Sequence, residues 1–511
     1  MTAPRPDHAD IVAFLSDPAT HGGAEVRVKR THGAEIFLAG QDAYKIKRPV
    51  AYDYLDFTTL EARREMLQRE YDLNRPAAGE IYKGLVPVTR SGSGLALGGD
   101  GEVVEWALHM RRFPAEAELS NIAEAGDFSC DLARELGRAV ARYHAAAGAR
   151  EADGPERIGE IVAQLQTAFA EMTDSLGAGA VAEFARRAGA RFEQARALLA
   201  ERAQQGHVRR CHGDLHMGNI VVLDGRPVPF DALEFDERLG TMDVLYDLAF
   251  LLMDIDHAGL RAQANTVLNR YLHAAGIDAH YDALALLPLF LGLRAGIRAM
   301  VAVQRADGAG DDGAALDQAR GYLGAANAYL APPPARLVGV GGLSGSGKTT
   351  LAARLAPLSG PAPGAVHLRS DLIRKQLFGV DEFDPLPEEA YSQEARETVY
   401  ARLRDRAGRA LRAGHGVVID AVHLHREERA ATRALAEAAG AGFAGLWLEA
   451  EPGVLIARVE ARRGDASDAD AEVVCKQLQR GADPDDWRHV DASGSIAATL
   501  ENARAALQNS R

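Results

Sequence analysis

Residues 211–220, CHGDLHMGNI, set His212, Asp214 and Asn219 in the order H-x-D-x-x-x-x-N. In a loop of this kind the aspartate can orient an acceptor hydroxyl and take its proton, while the asparagine reaches back to a magnesium ion. His212 reads as a brace for the loop. The following VPFDALEF places Asp231 after a short strand, where a second metal-binding carboxylate is expected. Two oxygen ligands from neighbouring elements, with nucleotide phosphates and water, suit the hard Mg2+ ion. Upstream, DAYKIKRP offers Lys45 on a strand to neutralise nucleotide phosphates, and the next helix offers Glu70 to hold it. Lys47 shares that strand face, so the period of two leaves either lysine available. Gly33 stands where a glycine-rich loop would cover the nucleotide, and the backbone near Met110, in VVEWALHMRRF, is a candidate adenine contact.

A second set of phosphate-handling residues lies at 342–350, GLSGSGKTT. Gly342, Gly347, Lys348 and Thr349 satisfy G-x-x-x-x-G-K-[ST] between a strand and a helix. Ser344, Gly345, Ser346 and Thr350 complete a loop whose N–H groups can face a phosphate at the positive end of the helix. Lys348 would bridge the β- and γ-phosphates, and the Thr349 hydroxyl would ligate magnesium. Asp420 ends the apolar run GVVID and is the expected carboxylate that holds the same ion. In LRSDLIRKQLFG, Asp371 leaves a strand and begins a helix, with Arg374 one turn on. Asp371 is thus either a catalytic base facing the acceptor or an N-terminal helix cap. Arg458 and Arg462, four apart and followed by Arg463, are expected on one helix face running into a polar loop. Such a lid could carry their charge over the transferring phosphate.

These groups need particular elements behind them. Residues from about 24 to 113 mix short β-rich runs with one charged helix, and 114–330 are mostly helical around the β-type stretch at 207–231. That is a small lobe and a helical lobe, an α+β bilobal protein-kinase-like domain over 1–330. The prolines of APPPA, 331–335, cannot continue a helix and mark a linker. From 336 to 511 strands and helices alternate, which predicts an α/β domain with a doubly wound parallel sheet.

The 511 residues exceed what one core can hold, in keeping with two or three domains. A formal net charge of −14 argues against broad capture of nucleic acid or anionic membrane. Cys130, Cys211 and Cys475 have no metal-like or redox spacing and are expected as buried apolar filler. The first ten residues lack an apolar signal core, and the run ALALLPLFLGL at 283–293 is too short to span a bilayer and reads as a buried helix. A cytoplasmic protein is expected.

HGDLHMGN, FDALEF and RLGTMDVLYDLAFLLMD resemble the aminoglycoside phosphotransferase family of kinase-like enzymes over about 25–330. The resemblance implies Asp214 as catalytic base, Asn219 and Asp231 as metal ligands, and structural roles for Asp243 and Asp247. SGSGKTT, RSDLIRKQL, VVIDA and RVEARRGDASDA resemble P-loop kinases of small hydroxyl substrates, such as gluconate kinases, zeta toxins and chloramphenicol phosphotransferases. The tandem resembles a bacterial family that fuses the two. It implies ATP, with GTP as the alternative, and Mg2+ as cofactors, and small hydroxyl compounds as acceptors. The leading expectation is a bifunctional phosphotransferase with one Mg-ATP site per domain. The alternative keeps one active kinase and makes the other domain a nucleotide-binding regulatory module. A nucleic-acid 5′-hydroxyl kinase would need the basic, aromatic groove that this acidic chain lacks in sequence.

Overall fold

The structure is a computed structural model that describes residues 7–508 apart from 53–54, 93, 310–312, 463 and 482–483. Arg463 therefore lies outside the described residues. Two compact units divide the chain, one of Met1–Gly154 with Arg202–Leu251, the other of Pro155–Glu201 with Leu252–Arg511.

In the first unit, six strands among the described residues form one antiparallel sheet. Its order is Val26–Arg30, Ala34–Ala39, Asp42–Lys47, Glu102–Arg111, Tyr82–Ser91 and Gly94–Leu97. Helix Leu60–Ala78 turns Arg63, Leu67, Glu70, Asn74 and Ala78 inward, a spacing of three and four that keeps them on one face. Its apolar members join Tyr82, Leu108, Val221 and Val228 in one core cluster. The polar members of that face must find partners there, because burying them unpaired would cost stability. Arg63 does so with Glu105 at 2.8 Å.

The loop 211–219 leads into a hairpin of Ile220–Leu223 and Arg226–Pro229. Asp224 and Gly225, with φ of 49° and 76°, make its two-residue turn, which suits the right-handed twist of the strands. Behind the loop, residues 244–251 of helix Val244–His257 are all buried.

In the second unit, the apolar run at 283–293 is a 3-10 turn followed by helix Leu287–Ala309, buried along much of its length. Pro288 is accommodated in the first turn, where no helical N–H is lost. Five parallel strands among the described residues form the other sheet, in the order Val366–Arg369, Val417–Asp420, Arg336–Gly342, Gly442–Glu449, Arg488–Asp491. The glycines of RLVGVGG have a packing reason: a Cβ on Gly339 would lie 2.5 Å from the Trp487 ring, as would one on the paired Gly445. Trp487 thus lies flat against the sheet where side chains are missing.

The division into units does not fall at the prolines, because helix Arg261–Ala275, which precedes them, bonds directly to strand Val366–Arg369. Cys211 is buried as expected, but Cys130 and Cys475 are exposed on helices and are not core filler.

Candidate active sites

The first site is built on the loop after Cys211. His212 is buried and its Nε2–H donates to the Phe230 carbonyl at 2.9 Å, tying the loop to the strand that ends before Asp231. Burial pushes the His212 imidazole below its usual range, which favours this neutral tautomer. Asp247 accepts the His212 and Gly213 N–H groups at 3.2 and 2.9 Å and contacts His144 Nε2 at 3.0 Å. Asp243 pairs with the buried Arg202 at 2.6 Å. Both aspartates are therefore buried scaffolding beneath the loop.

Asn219 donates through Nδ2 to the Asp214 carbonyl and to its Oδ2, at 2.9 and 3.0 Å. Its amide oxygen is thereby left as the atom that could meet a cation. Asp231 adopts a left-handed φ of 60° and donates its N–H to Tyr82 Oη at 3.1 Å. From the opposite sheet, Lys45 Nζ lies 2.7 Å from Glu70 and 3.0 Å from Asp231. Burial alone would lower this ammonium, but Asp231, Glu70 and Glu234 outweigh it and hold Lys45 well above the ordinary lysine range. Lys47 takes the other Glu70 oxygen at 2.8 Å and Glu234 at 2.6 Å. The two lysines are thus distinguished by position: Lys45 adjoins Asp231, while Lys47 is enclosed with two carboxylates.

Met110, named as a candidate adenine contact, lies inside the sheet. It is registered against Ala43 on one side and Tyr82 on the other, so its peptide groups belong to the sheet ladder. The strand ends at Arg111, and the open connection begins beyond Arg112, whose N–H still donates to Gln41.

The second site is a cavity of about 620 Å³ in the P-loop part, lined by Ser344, Gly345, Gly347, Lys348, Thr349 and Thr350. Gly345 needs its positive φ of 83°, and a Cβ there would strike the Leu455 carbonyl at 2.4 Å. Thr349 Oγ1 donates to Asp420 Oδ2 at 2.7 Å. Burial would raise the Asp420 carboxyl, yet His367, Arg369 and Lys348 hold it down to about 2. A hydroxyl and an ionised carboxylate converging at the loop fit Mg2+, as do the Asn219 and Asp231 oxygens of the first site.

Asp371 is the second residue of helix Ser370–Leu377 and makes no capping bond; its side chain lines the cavity with Lys348 and Asp420. Burial pushes its carboxyl up, Arg369 opposing. Arg458 and Arg462 reach the same cavity, but helix Pro452–Ala461 stops before Arg462, which adopts extended backbone and donates to the Ser467 carbonyl at 3.4 Å. The expected shared helix face does not exist, because the chain turns into the polar loop one residue early.

Several lining groups had no signal in spacing. Arg396, Tyr391, Tyr400, Gln477 and Asp468 come from segments far apart in the chain. Asp468 gathers Lys375 at 2.9 Å, Tyr391 Oη at 2.7 Å and the Leu386 N–H at 3.1 Å, drawing two loops together beside the cavity. Gln477 accepts the Ser344 N–H at 2.8 Å, and Lys348 Nζ donates to the Leu343 carbonyl at 2.9 Å.

Two family models match the chain. A family model described as a phosphotransferase enzyme family matches residues 85–287. A model described as an AAA domain matches 337–484. The uncharacterized proteins Rv2004c of Mycobacterium tuberculosis H37Rv and Mb2027c of Mycobacterium bovis are each 30% identical over 481 residues, covering 92% of this chain and 93% of the relative. Among solved structures, a choline/ethanolamine kinase family protein from Mesorhizobium loti is 16% identical, covering 63% of this chain and 97% of its own, with a TM-score of 0.40. A gluconokinase from Sinorhizobium meliloti 1021 is 25% identical over 34% of this chain and 93% of its own, with a TM-score of 0.26.

Proposed function

The chain belongs to the bacterial family that fuses a phosphotransferase domain to a P-loop kinase domain, the family of its mycobacterial relatives, and from that premise we propose that both domains transfer phosphoryl groups. It is an ATP-dependent phosphotransferase. In this reading residues 1–330 and 336–511 each hold one Mg-ATP in the cytoplasm, and each phosphorylates a hydroxyl of a small molecule.

The observation that carries the reading is a repeated arrangement. Each half supplies a candidate base carboxylate, a lysine and two oxygen ligands: in the first, Asp214 is bonded to Asn219 and Lys45 to Asp231, and in the second, Asp371, Lys348, Thr349 and Asp420 line one cavity. Phosphoryl transfer asks little more of a protein than this positioning and charge. Asp214 and Asp371 orient the acceptor hydroxyl and accept its proton. Lys45 and Lys348 neutralise phosphate oxygens, and Arg458 and Arg462 meet the charge of the transferring group from the lid side. Asn219 and Asp231 in one half, and Thr349 and Asp420 in the other, would hold Mg2+, which would supply charge to offset that of the phosphates. The raised Asp371 carboxyl is a stronger base than a solvated aspartate, which suits that role.

A mass-resolved screen of a hydroxyl-metabolite panel with ATP tests the proposal. Asp214→Asn and Asp371→Asn in the full chain should each remove one of two separable phosphorylated products. Retention of every product by both variants refutes it. One observation favours a regulatory P-loop half instead: the Ser344 N–H and Lys348 Nζ are already engaged by Gln477 and Leu343. On that reading Lys348→Ala abolishes nucleotide binding there without removing any product.

A further inference from the structure

Strand Val366–Arg369 lies at one edge of the parallel sheet, with strand Val417–Asp420 on its other side. An edge strand presents N–H and C=O groups that a further strand would pair. Here helix Arg261–Ala275 supplies the partner with side chains. Asn269 Oδ1 accepts the His367 N–H at 2.6 Å, and its Nδ2 donates to the Ala365 carbonyl at 3.2 Å. Those are the two groups that one residue of a neighbouring parallel strand would take, since residues two apart face the same side. Asn265 Nδ2 adds a second donor to the Ala365 carbonyl at 3.0 Å, and Asn265 Oδ1 accepts from Asn269 Nδ2 at 3.1 Å.

The same helix also grips the segment beyond the strand. Gln376, near the end of helix Ser370–Leu377, donates to the His273 carbonyl at 3.2 Å. Arg270 pairs through both terminal nitrogens with Glu382 at 2.8 and 3.1 Å, and both partners are largely buried. Asp371 lies at the corner between the pinned strand and the pinned helix. An exposed sheet edge needs no such carboxamide clamp for solubility, since charge or a short strand suffices. A corner that must hold a carboxylate to within a fraction of an ångström does need one.

We propose that Asn269, seconded by Asn265, is a positioning residue of the P-loop site: its carboxamide replaces the missing strand at the sheet edge and sets Asp371 against the phosphate loop. The P-loop site thus depends on a helix that precedes the proline segment. This rests on the reading of Asp371 as the acceptor's base.

The test uses the full chain carrying Asp214→Asn to silence the first site. ATP turnover with water as acceptor is read as ADP release, Mg-ATP affinity by calorimetry, and amide exchange over 365–373 by mass spectrometry. Asn269→Leu should lower turnover about tenfold or more and speed exchange over 365–373, with the Mg-ATP Kd within about twofold because the phosphate loop is not touched. Asn269→Asp, which still accepts the His367 N–H, should fall between Leu and parent, and serves if the Leu variant does not fold. Thr266→Ala on the same helix should match the parent. Parent turnover and parent exchange in Asn269→Leu overturn the proposal, as does a loss of affinity equal to the loss of rate. Asp371→Asn separates the two ideas. Parent turnover there sinks the base reading, whereas lost turnover there with parent turnover in Asn269→Leu sinks the positioning role alone.

Discussion

Glu70 is where the structure makes its most exacting demand. Its carboxylate is wholly buried, one oxygen 2.7 Å from Lys45 and the other 2.8 Å from Lys47. Glu70→Ala leaves two ammonium groups in a low-dielectric site, each with a single remaining carboxylate, Asp231 for Lys45 and Glu234 for Lys47. Removing one member of a buried pair costs about 3–5 kcal/mol, and the surviving partners place this case near the lower end, about 3 kcal/mol. The second consequence is kinetic. Lys45 would be drawn fully onto Asp231, competing with the metal and leaving the phosphates less neutralised. First-site transfer, read in a chain carrying Asp371→Asn, should fall roughly a hundredfold, the rate equivalent of nearly 3 kcal/mol. Urea unfolding followed by circular dichroism gives the stability term. Lys47→Met and Lys45→Met then divide the roles, because Lys47 is enclosed away from Asp231. Lys47→Met should cost mainly stability and Lys45→Met mainly rate. A Glu70→Ala chain within about 1 kcal/mol of the parent, or equal rate losses in the two lysine variants, refutes the reasoning.

The P-loop half yields two further expected outcomes. Burial holds His415 neutral with its imidazole lowered to about 4, against the Gly364 carbonyl at 2.9 Å. The unfolded chain then binds the extra proton first, so stability present above pH ~6.5 is lost as pH falls toward 4. The loss between pH 7 and 5 is about 2 kcal/mol. His415→Gln should flatten the pH dependence of the urea midpoint reported by Trp447 and Trp487 fluorescence, and an unchanged slope contradicts this. Gly339→Ala drives a methyl to 2.5 Å from the Trp487 ring and should cost about 1–3 kcal/mol by the same fluorescence. An unshifted midpoint would show that Trp487 does not lie against the strand in solution.

Legibility in the chain followed locality. Asp214, Asn219 and the phosphate loop were readable because each set lies within one turn of backbone, where spacing dictates geometry. Glu70 was readable as a lysine's partner, but its sharing between Lys45 and Lys47 was not, since the period of two puts both on one strand face. That Met110 lies within the strand and not beyond its end was not readable, because strand ends are set by pairing with Gln41 and Ile81, contacts far away in the chain. Arg462 left the expected helix because propensity does not say where a lid helix yields to its loop. Cys130 and Cys475 were assigned to the core on composition, and the helix faces carrying them point to solvent.

What the sequence by itself determined is the pair of phosphate-handling loops and the strand–helix grammar around each, because those depend on backbone conformations that Gly, Asp and Asn select locally. The tertiary structure decided which lysine stands beside Asp231, which scattered residues line the cavity around Asp371, and how the edge of the parallel sheet is covered. The last case shows the physical reason most plainly. Nothing in the spacing of Asn265 and Asn269 refers to Ala365 or His367, some hundred residues on. Only packing brings a side-chain amide to the place where a strand's peptide would otherwise be.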